Sequence, residues 1–460
     1  MKKSLFLIQP TIAALIVAAY PTRLPAATVL WTGNSTSSSD WSTSNNWLGG
    51  NLPENGDNVA FGPSQRTANH DNIAQLTIDT LAFNSNAPAF TLRIEKTISL
   101  IISGAGVSNN SANVQTLIND GSSLAYFESG GNTTFQNNAT ADDLRIINRG
   151  GNHQWIDGWG ETAFKDGSNA GTAVITNEGW SSDTWLGGRT IFLDNSGAAS
   201  ATITNNAGLS SADPVSRSYT LFLRSASGGQ ATITNSAGPL SGATILYQST
   251  TAGNAHIHNP GAAASGEEGG FTCFRDSATA ATADITNGGG VTANAAGGQT
   301  KFETFATAEY AIIVNEGAMA AGAAGGAVEF YGESTAGDAL AIINHGGAAL
   351  NALGGRVLFA ETSSAGNATI GNGGSGMSGG HGGETYFVAS STAGNATLHI
   401  SGGENGGLGG LICFTENSDG GSARALTTGN GRFDISQLTT SGMEIGSIEG
   451  DGTYFLGSRA

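Results

Sequence analysis

The chain has 460 residues, of which 70 are glycine and only 12% are charged, and its 36 acids against 18 bases give a formal net charge of −18. That balance excludes nucleic acid and anionic membrane surfaces as natural partners. Length alone would suggest about three domains, but an internal repeat replaces that expectation.

Residues 1–27 have the form of a secretory signal: Lys2 and Lys3, an apolar stretch from Leu5 to Ala19 broken by Gln9 and Pro10, then Leu24-Pro-Ala-Ala27 as a small-residue cleavage region. No second apolar span follows, so no transmembrane segment is expected once the signal is removed. Residues 28–112 carry Trp31, Trp41 and Trp47 in a segment unlike the rest. Terminal units of repeat arrays are commonly atypical because they must cover an open end. The tryptophans therefore read as a cap rather than as a platform for sugar rings, with strand-like alternation beginning at Leu76.

From 113 to 431 the chain repeats. An Asn column runs from Asn119 through Asn148, Asn177, Asn205, Asn235, Asn259, Asn287, Asn315 and Asn344 to Asn372, in steps of 28 to 30 residues except one of 24. An aromatic column keeps the same rhythm, with Phe135, Phe164, Phe192, Phe222, Tyr247, Phe274, Phe302, Phe330, Phe359, Phe387 and Phe414. Two residues before each Asn stands Leu or Ile, and two before each aromatic stands Thr, Val or Ile, which places each pair on one face of a strand. Short strands at a fixed period, each unable to bury a core alone, predict a solenoid. The absence of a helical period argues against leucine-rich repeats, and a spacing that is not a multiple of six argues against a left-handed hexapeptide helix. The expected fold is all-β: a right-handed parallel β-helix with ~28-residue repeats and a Trp-rich N-terminal cap. Recurring pairs such as Gly187-Gly188 and Gly297-Gly298 read as turns needing positive φ. Residues 432–460 form a C-terminal segment without the many alternating strands of a membrane barrel.

The order Trp31, Trp41, Asn46-Trp47, Pro53, Asp57, Phe61 resembles the start of bacterial autotransporter passengers. So do Leu100 to Ser111, the recurring Ser-x-Ala-Gly-Asn-Ala-x-Ile as at Ser363 to Ile370, and Ile445 to Gly457. The resemblance implies a β-helical passenger, displayed on the cell surface or secreted by a Gram-negative-type bacterium. Its implied role is structural or adhesive, and its implied partner a surface glycan or protein of another cell. Such proteins end in a membrane β-barrel, which residues 432–460 are too few to form, so a truncated product, export through a separate outer-membrane protein and release of the chain all stand open.

Candidate chemistry is sparse, and neither an enzyme nor a cofactor is expected. Polysaccharide-degrading sites need carboxylates clustered on one outward face of neighbouring coils. The densest acids are Glu303, Glu309, Glu316, Glu329 and Glu333, and Glu329 sits in the column of Lys301, which suggests an exposed cross-strand ion pair. A polysaccharide-binding or polysaccharide-degrading role is the alternative. No metal site is expected; its one weak candidate is His256, His258 and Asp284, where His-Ile-His replaces Thr-Ile-Thr and Asp284 takes the place of His256 one repeat on. Ice or crystal binding would need an uninterrupted outward Thr column, which Arg145, Val174, His256, Asp284 and Ile312 break. Cys273 and Cys413 lie five repeats apart, so they are expected ~24 Å from one another and unpaired.

Overall fold

The computed structural model describes residues 26–122, 128–151, 158–179, 186–209 and 217–457. The expected signal lies outside them except for Ala26 and Ala27. Each repeat forms two four-residue strands, for instance Arg189–Phe192 and Thr202–Asn205. Each strand pairs in parallel with its equivalent in the next repeat, setting Phe164 beside Phe192 and Asn177 beside Asn205. The pairings build one sheet of 17 strands around the aromatic column and one of 15 around the Ile and Asn columns. They wind as a single parallel β-solenoid of about 13 turns. A third, minimal face has one bridging residue per coil, running Thr251, Thr279, Thr307, Thr335. Among the described residues the only helical pieces are two 3-10 turns, Ser44–Asn46 and Leu48–Gly50, and no helix is long and apolar enough to cross a membrane.

Inside, identical positions stack. Successive phenylalanines from Phe135 to Phe222 and from Phe274 to Phe414 lie nearly parallel, with centroids 4.6–4.9 Å apart. That distance lies within the range of favourable ring pairs and matches the strand spacing of ~4.8 Å, so in-register pairing and ring stacking agree. The stack has one gap, and there the expected register is corrected. Phe222 pairs with Leu246, which pairs with Phe274, so Leu246 fills the column. Tyr247 is the next residue along, on the outer face, with its hydroxyl 3.0 Å from Arg275 Nη1. The register is held by Thr244, whose hydroxyl donates to Asn235 Oδ1 at 2.9 Å; a shift of one residue would turn it outward. Leu246 also suits the column because an apolar side chain can be buried there without a polar partner, whereas a buried tyrosine hydroxyl would need one.

The Asn column is a continuous hydrogen-bonded ladder. From Asn119 to Asn372, each Nδ2 donates to the Oδ1 of the next Asn at 2.6–2.9 Å, nine bonds in all. The Thr two residues before the aromatic has its own reason for being there: its hydroxyl donates to the Asn Oδ1 of its own coil, as from Thr272 to Asn259 at 2.9 Å. In several coils the Asn Nδ2 also donates to the carbonyl just before that position, as from Asn205 to Ala243 at 2.9 Å and, where Val357 replaces the Thr, from Asn315 to Arg356 at 3.2 Å. These amides are fully buried, so each satisfied bond avoids a desolvation penalty of about 1–3 kcal/mol.

The Trp-rich N-terminal segment is itself the first rung of the solenoid. Thr28–Trp31 pairs with Asn58–Phe61, so coiling begins well before Leu76. Trp31, Trp41 and Trp47 are essentially fully buried. Trp47 meets both other indoles edge-on, and all three pack around Phe61. Their indole N–H groups donate to the Arg66 carbonyl, Asn69 Oδ1 and the Trp41 carbonyl. At the other end Arg432–Leu438, Ser447–Glu449 and Thr453–Phe455 continue both sheets.

The turns are held by two left-handed positions per coil, two and seven residues past the column residue. After Phe274 these are Asp276 and Ala281, and after Phe330 they are Gly332 and Gly337. The glycine pairs expected to need positive φ do not adopt it. A Cβ on Gly298 would lie 1.9 Å from the Asn259 carbonyl oxygen, and one on Gly326 would lie 1.9 Å from that of Asn287. Close approach of stacked backbones, not backbone conformation, demands glycine there. Gly298→Ala is therefore expected to cost about 3 kcal/mol or more. Gly332→Asn should cost under about 1 kcal/mol, because Thr304 and Glu361 hold the same left-handed conformation in adjacent coils. Urea titration followed by circular dichroism measures both, and equal shifts in midpoint would contradict this account.

Candidate functional site

The outer face of the aromatic sheet carries most of the charged chemistry, arranged as pairs across rungs. Arg189 pairs with Glu161, Arg275 with Glu303 at 2.6 Å, and Glu329 with both Lys301 at 3.4 Å and Arg356 at 2.7 Å. Glu329 is not the exposed partner the sequence suggests: its side chain is only 7% accessible. Tyr331, whose hydroxyl lies 3.0 Å from Glu329, has its pKa pushed up to about 12 by burial and then by that carboxylate. A cleft of about 360 Å³ opens on this face between Arg217, Glu268, Phe271, Gln299 and Lys301. Arg217 bonds Glu268 at 3.1 Å and lies over the Phe271 ring.

Of the five dense acids, only Glu303 and Glu329 share this face. Glu309 sits in a turn and accepts from the Thr279 hydroxyl at 2.5 Å. Glu316 follows the opposite sheet and meets His345 at 2.8 Å. Glu333 lies in the turn after Phe330, its N–H donating to the Thr304 carbonyl. The two acids that share a face are each held by a basic neighbour, which leaves no carboxyl pair among them in the arrangement that general acid–base hydrolysis uses.

His256 and Asp284 do meet, with Nδ1 to Oδ2 at 3.1 Å, both side chains at least half exposed. His258 does not join them. It faces an apolar groove of about 470 Å³ with Pro260, Val291, Met319 and His345. Its register partner in the next coil is Thr286, so the next rung sets no carboxylate beside it. Cys273 and Cys413 are free and buried, separated through Lys301, Glu329, Leu358 and Tyr386 by five rungs. Burial pushes the Cys273 thiol up to about 11 and Cys413 to about 12, so neither is poised as a nucleophile.

The tightest constellation of ligand-type side chains lies elsewhere. Asp40, His70 and Glu95 bring one ligand atom each within 4.8 Å of one another. His70 Nδ1 is 3.7 Å from Asp40 Oδ1 and 3.2 Å from Glu95 Oε1. Asp40 belongs to the tryptophan segment, His70 to the strand Ala68–Asp71, and Glu95 follows the strand Thr91–Ile94. The first coils have no clear repeat, so no column in the sequence could align these three. Beside them Asp71 is fully buried in the position that Asn119 occupies two rungs on. Its Oδ1 accepts from the Ile73 N–H at 3.0 Å, while Oδ2 has no partner among the described residues.

Comparison of the chain with family models, with curated proteins and with solved structures finds no match. The geometry therefore carries the functional reading by itself.

Burial, and to a lesser degree Glu95, raises Asp71 from 3.8 to about 7. The folded state thus holds this proton more tightly than the unfolded state does. The penalty for a buried carboxylate is absent below about pH 4, grows as pH rises, and is complete above about pH 7. Asp71→Asn is expected to stabilise the protein by about 3 kcal/mol at about pH 8 and hardly at all at about pH 4. Denaturant midpoints at the two pH values check this; a gain independent of pH would contradict it.

Proposed function

We propose that the chain is an exported, non-catalytic adhesive rod of the autotransporter-passenger type, contacting a glycan or protein on another cell's surface. The observation that carries this reading is the division of labour between inside and outside. The inner columns satisfy one another through Phe stacking and the Asn ladder, and on the outer face of the aromatic sheet Glu161, Glu303 and Glu329 are tied to bases on adjacent rungs. What remains for an encounter is a long surface that offers similar chemistry coil after coil. Val291, Met319, Leu350 and Met377 are each about half or more exposed on loops of successive coils. Such spacing favours many weak contacts acting together over one deep pocket. Export fits the acidic, low-charge composition and the signal-like start, and a separate outer-membrane protein would serve as exporter.

Polysaccharide binding remains as a second reading because of the cleft at Phe271. An aromatic ring flanked by Arg217, Glu268, Gln299 and Lys301 combines an apolar face with donors and acceptors, the combination that sugar rings need. Purified protein screened against a polysaccharide and glycan array, with reducing-end release measured in parallel, tests both readings. Saturable attachment without released product is expected, and Phe271→Ala should weaken glycan attachment about tenfold if the cleft is the seat of it. Reproducible chain cleavage would overturn the non-catalytic reading.

A further inference from the structure

We propose that Asp40, His70 and Glu95 form a divalent-metal site, best suited to zinc, that clamps the tryptophan segment onto the first coils. The donor set is one imidazole nitrogen and two carboxylate oxygens, a combination that borderline divalent ions take readily. With metal–ligand bonds near 2.0–2.1 Å, the edge of a tetrahedral site is about 3.4 Å. The distances from His70 Nδ1 to Glu95 and Asp40, 3.2 and 3.7 Å, bracket that edge. The Asp40 and Glu95 ligand atoms lie within 4.8 Å of each other, so an ion would draw these two carboxylates together, leaving a fourth position for water.

The backbone behind each ligand is already fixed. Asp40 and His70 form a parallel bridge, the Trp41 N–H donates to the His70 carbonyl at 2.8 Å, and the His70 N–H donates to the Ser39 carbonyl at 3.0 Å. The Glu95 N–H donates to the Asp71 carbonyl. A site whose ligands stand on hydrogen-bonded ladder positions loses little entropy on binding.

Charge points the same way. The neighbouring cations are engaged elsewhere: Arg93 holds Asp120 at 2.6 Å, Arg149 holds the same Asp120 at 3.0 Å, and Lys96 holds Glu128 at 2.7 Å. Among the described residues, the ion pairs of Asp40 and Glu95 are those with His70. The two carboxylates carry a charge of −2, which a divalent ion neutralises, taking the imidazole nitrogen as its third ligand in the deprotonated form that metals bind. The more familiar pair at His256 and Asp284 offers one carboxylate to one imidazole, both widely exposed, and His258 does not supply a third donor.

The three ligands come from the loop after the first strand and from two later strands of the other sheet. Metal binding would therefore add one more link between segments already joined by the Asp40–His70 bridge, its backbone hydrogen bonds and the buried tryptophans. Because an unfolded chain does not hold these groups together, bound metal stabilises the folded end of the rod.

The test uses the full chain, stripped of metal with a chelator and then titrated with zinc chloride or cobalt chloride. One equivalent of saturable binding is expected, with a tetrahedral cobalt absorption band and a thermal midpoint raised by zinc. His70→Ala and Glu95→Gln should each weaken binding about tenfold or more, whereas His256→Ala should leave it unchanged. Asp40→Asn and Glu95→Gln keep side-chain shape, so they decide the matter if His70→Ala fails to fold by circular dichroism. Absence of saturable binding, or binding that survives these substitutions and is lost in His256→Ala, would overturn the site.

Discussion

Everything in this molecule depends on in-register parallel pairing of equivalent strands at ~4.8 Å. Once coil n sets residue for residue on coil n + 1, each position becomes a column, and a column tolerates only residues that can lie on themselves. Phenylalanine can, because its flat ring accepts a neighbour 4.6–4.9 Å away. Asparagine can, because it carries donor and acceptor at opposite ends of one amide and so bonds both neighbours at once. Asp71 shows the failure: a carboxylate in the same column has no donor to pass on, and one of its oxygens stays unpaired among the described residues. The glycine pairs are the same rule at the backbone, where carbonyls of the neighbouring coil occupy the space of a Cβ.

The rule also governs charge. A charged residue repeated along an outward column would face its own sign at every rung, which is destabilising. The structure answers by setting opposite charges beside one another on successive rungs, as Glu161 and Arg189, Lys301 and Glu329, and His256 and Asp284, and by diagonal pairs such as Arg93 with Asp120, Arg356 with Glu329 and Arg424 with Glu449. Exposed pairs of this kind contribute little individually, about 0–1 kcal/mol. Their value lies in avoiding repulsion along a rod, and the small charged fraction of the chain follows from the same constraint.

This is why the fold was legible in the sequence and the surface was not. Asn205, Ile203 and Phe192 recur at a readable period because stacking selects them, and the structure places them as that period implies. Where the period shortens, Leu246 and Tyr247 compete for one column, and pattern alone favours the aromatic over the residue that is buried there. The glycine pairs are readable as necessary but for another reason, since a clash with the next coil leaves no trace in a single repeat. Glu329 reads as exposed because a column says which face a residue takes, not how deeply Lys301, Tyr331 and Arg356 bury it.

A regular solenoid is poor at building sites from unlike groups, since each coil sets a position beside copies of itself. In the regular coils unlike groups meet as ion pairs between neighbouring rungs, whereas the imidazole with two carboxylates gathered around it lies where the winding is irregular. The strand Gln75–Phe83 has a register shift between Ile78 and Thr80, and the coils before it are uneven in length. There Asp40 bridges His70 in parallel, and Glu95, two residues past Arg93, the register partner of His70, comes to the same place. The regular coils place His256 beside Asp284 but leave His258 beside Thr286. Regularity therefore supplies the length and stiffness of the rod, and its irregular first coils supply the convergence of different ligands.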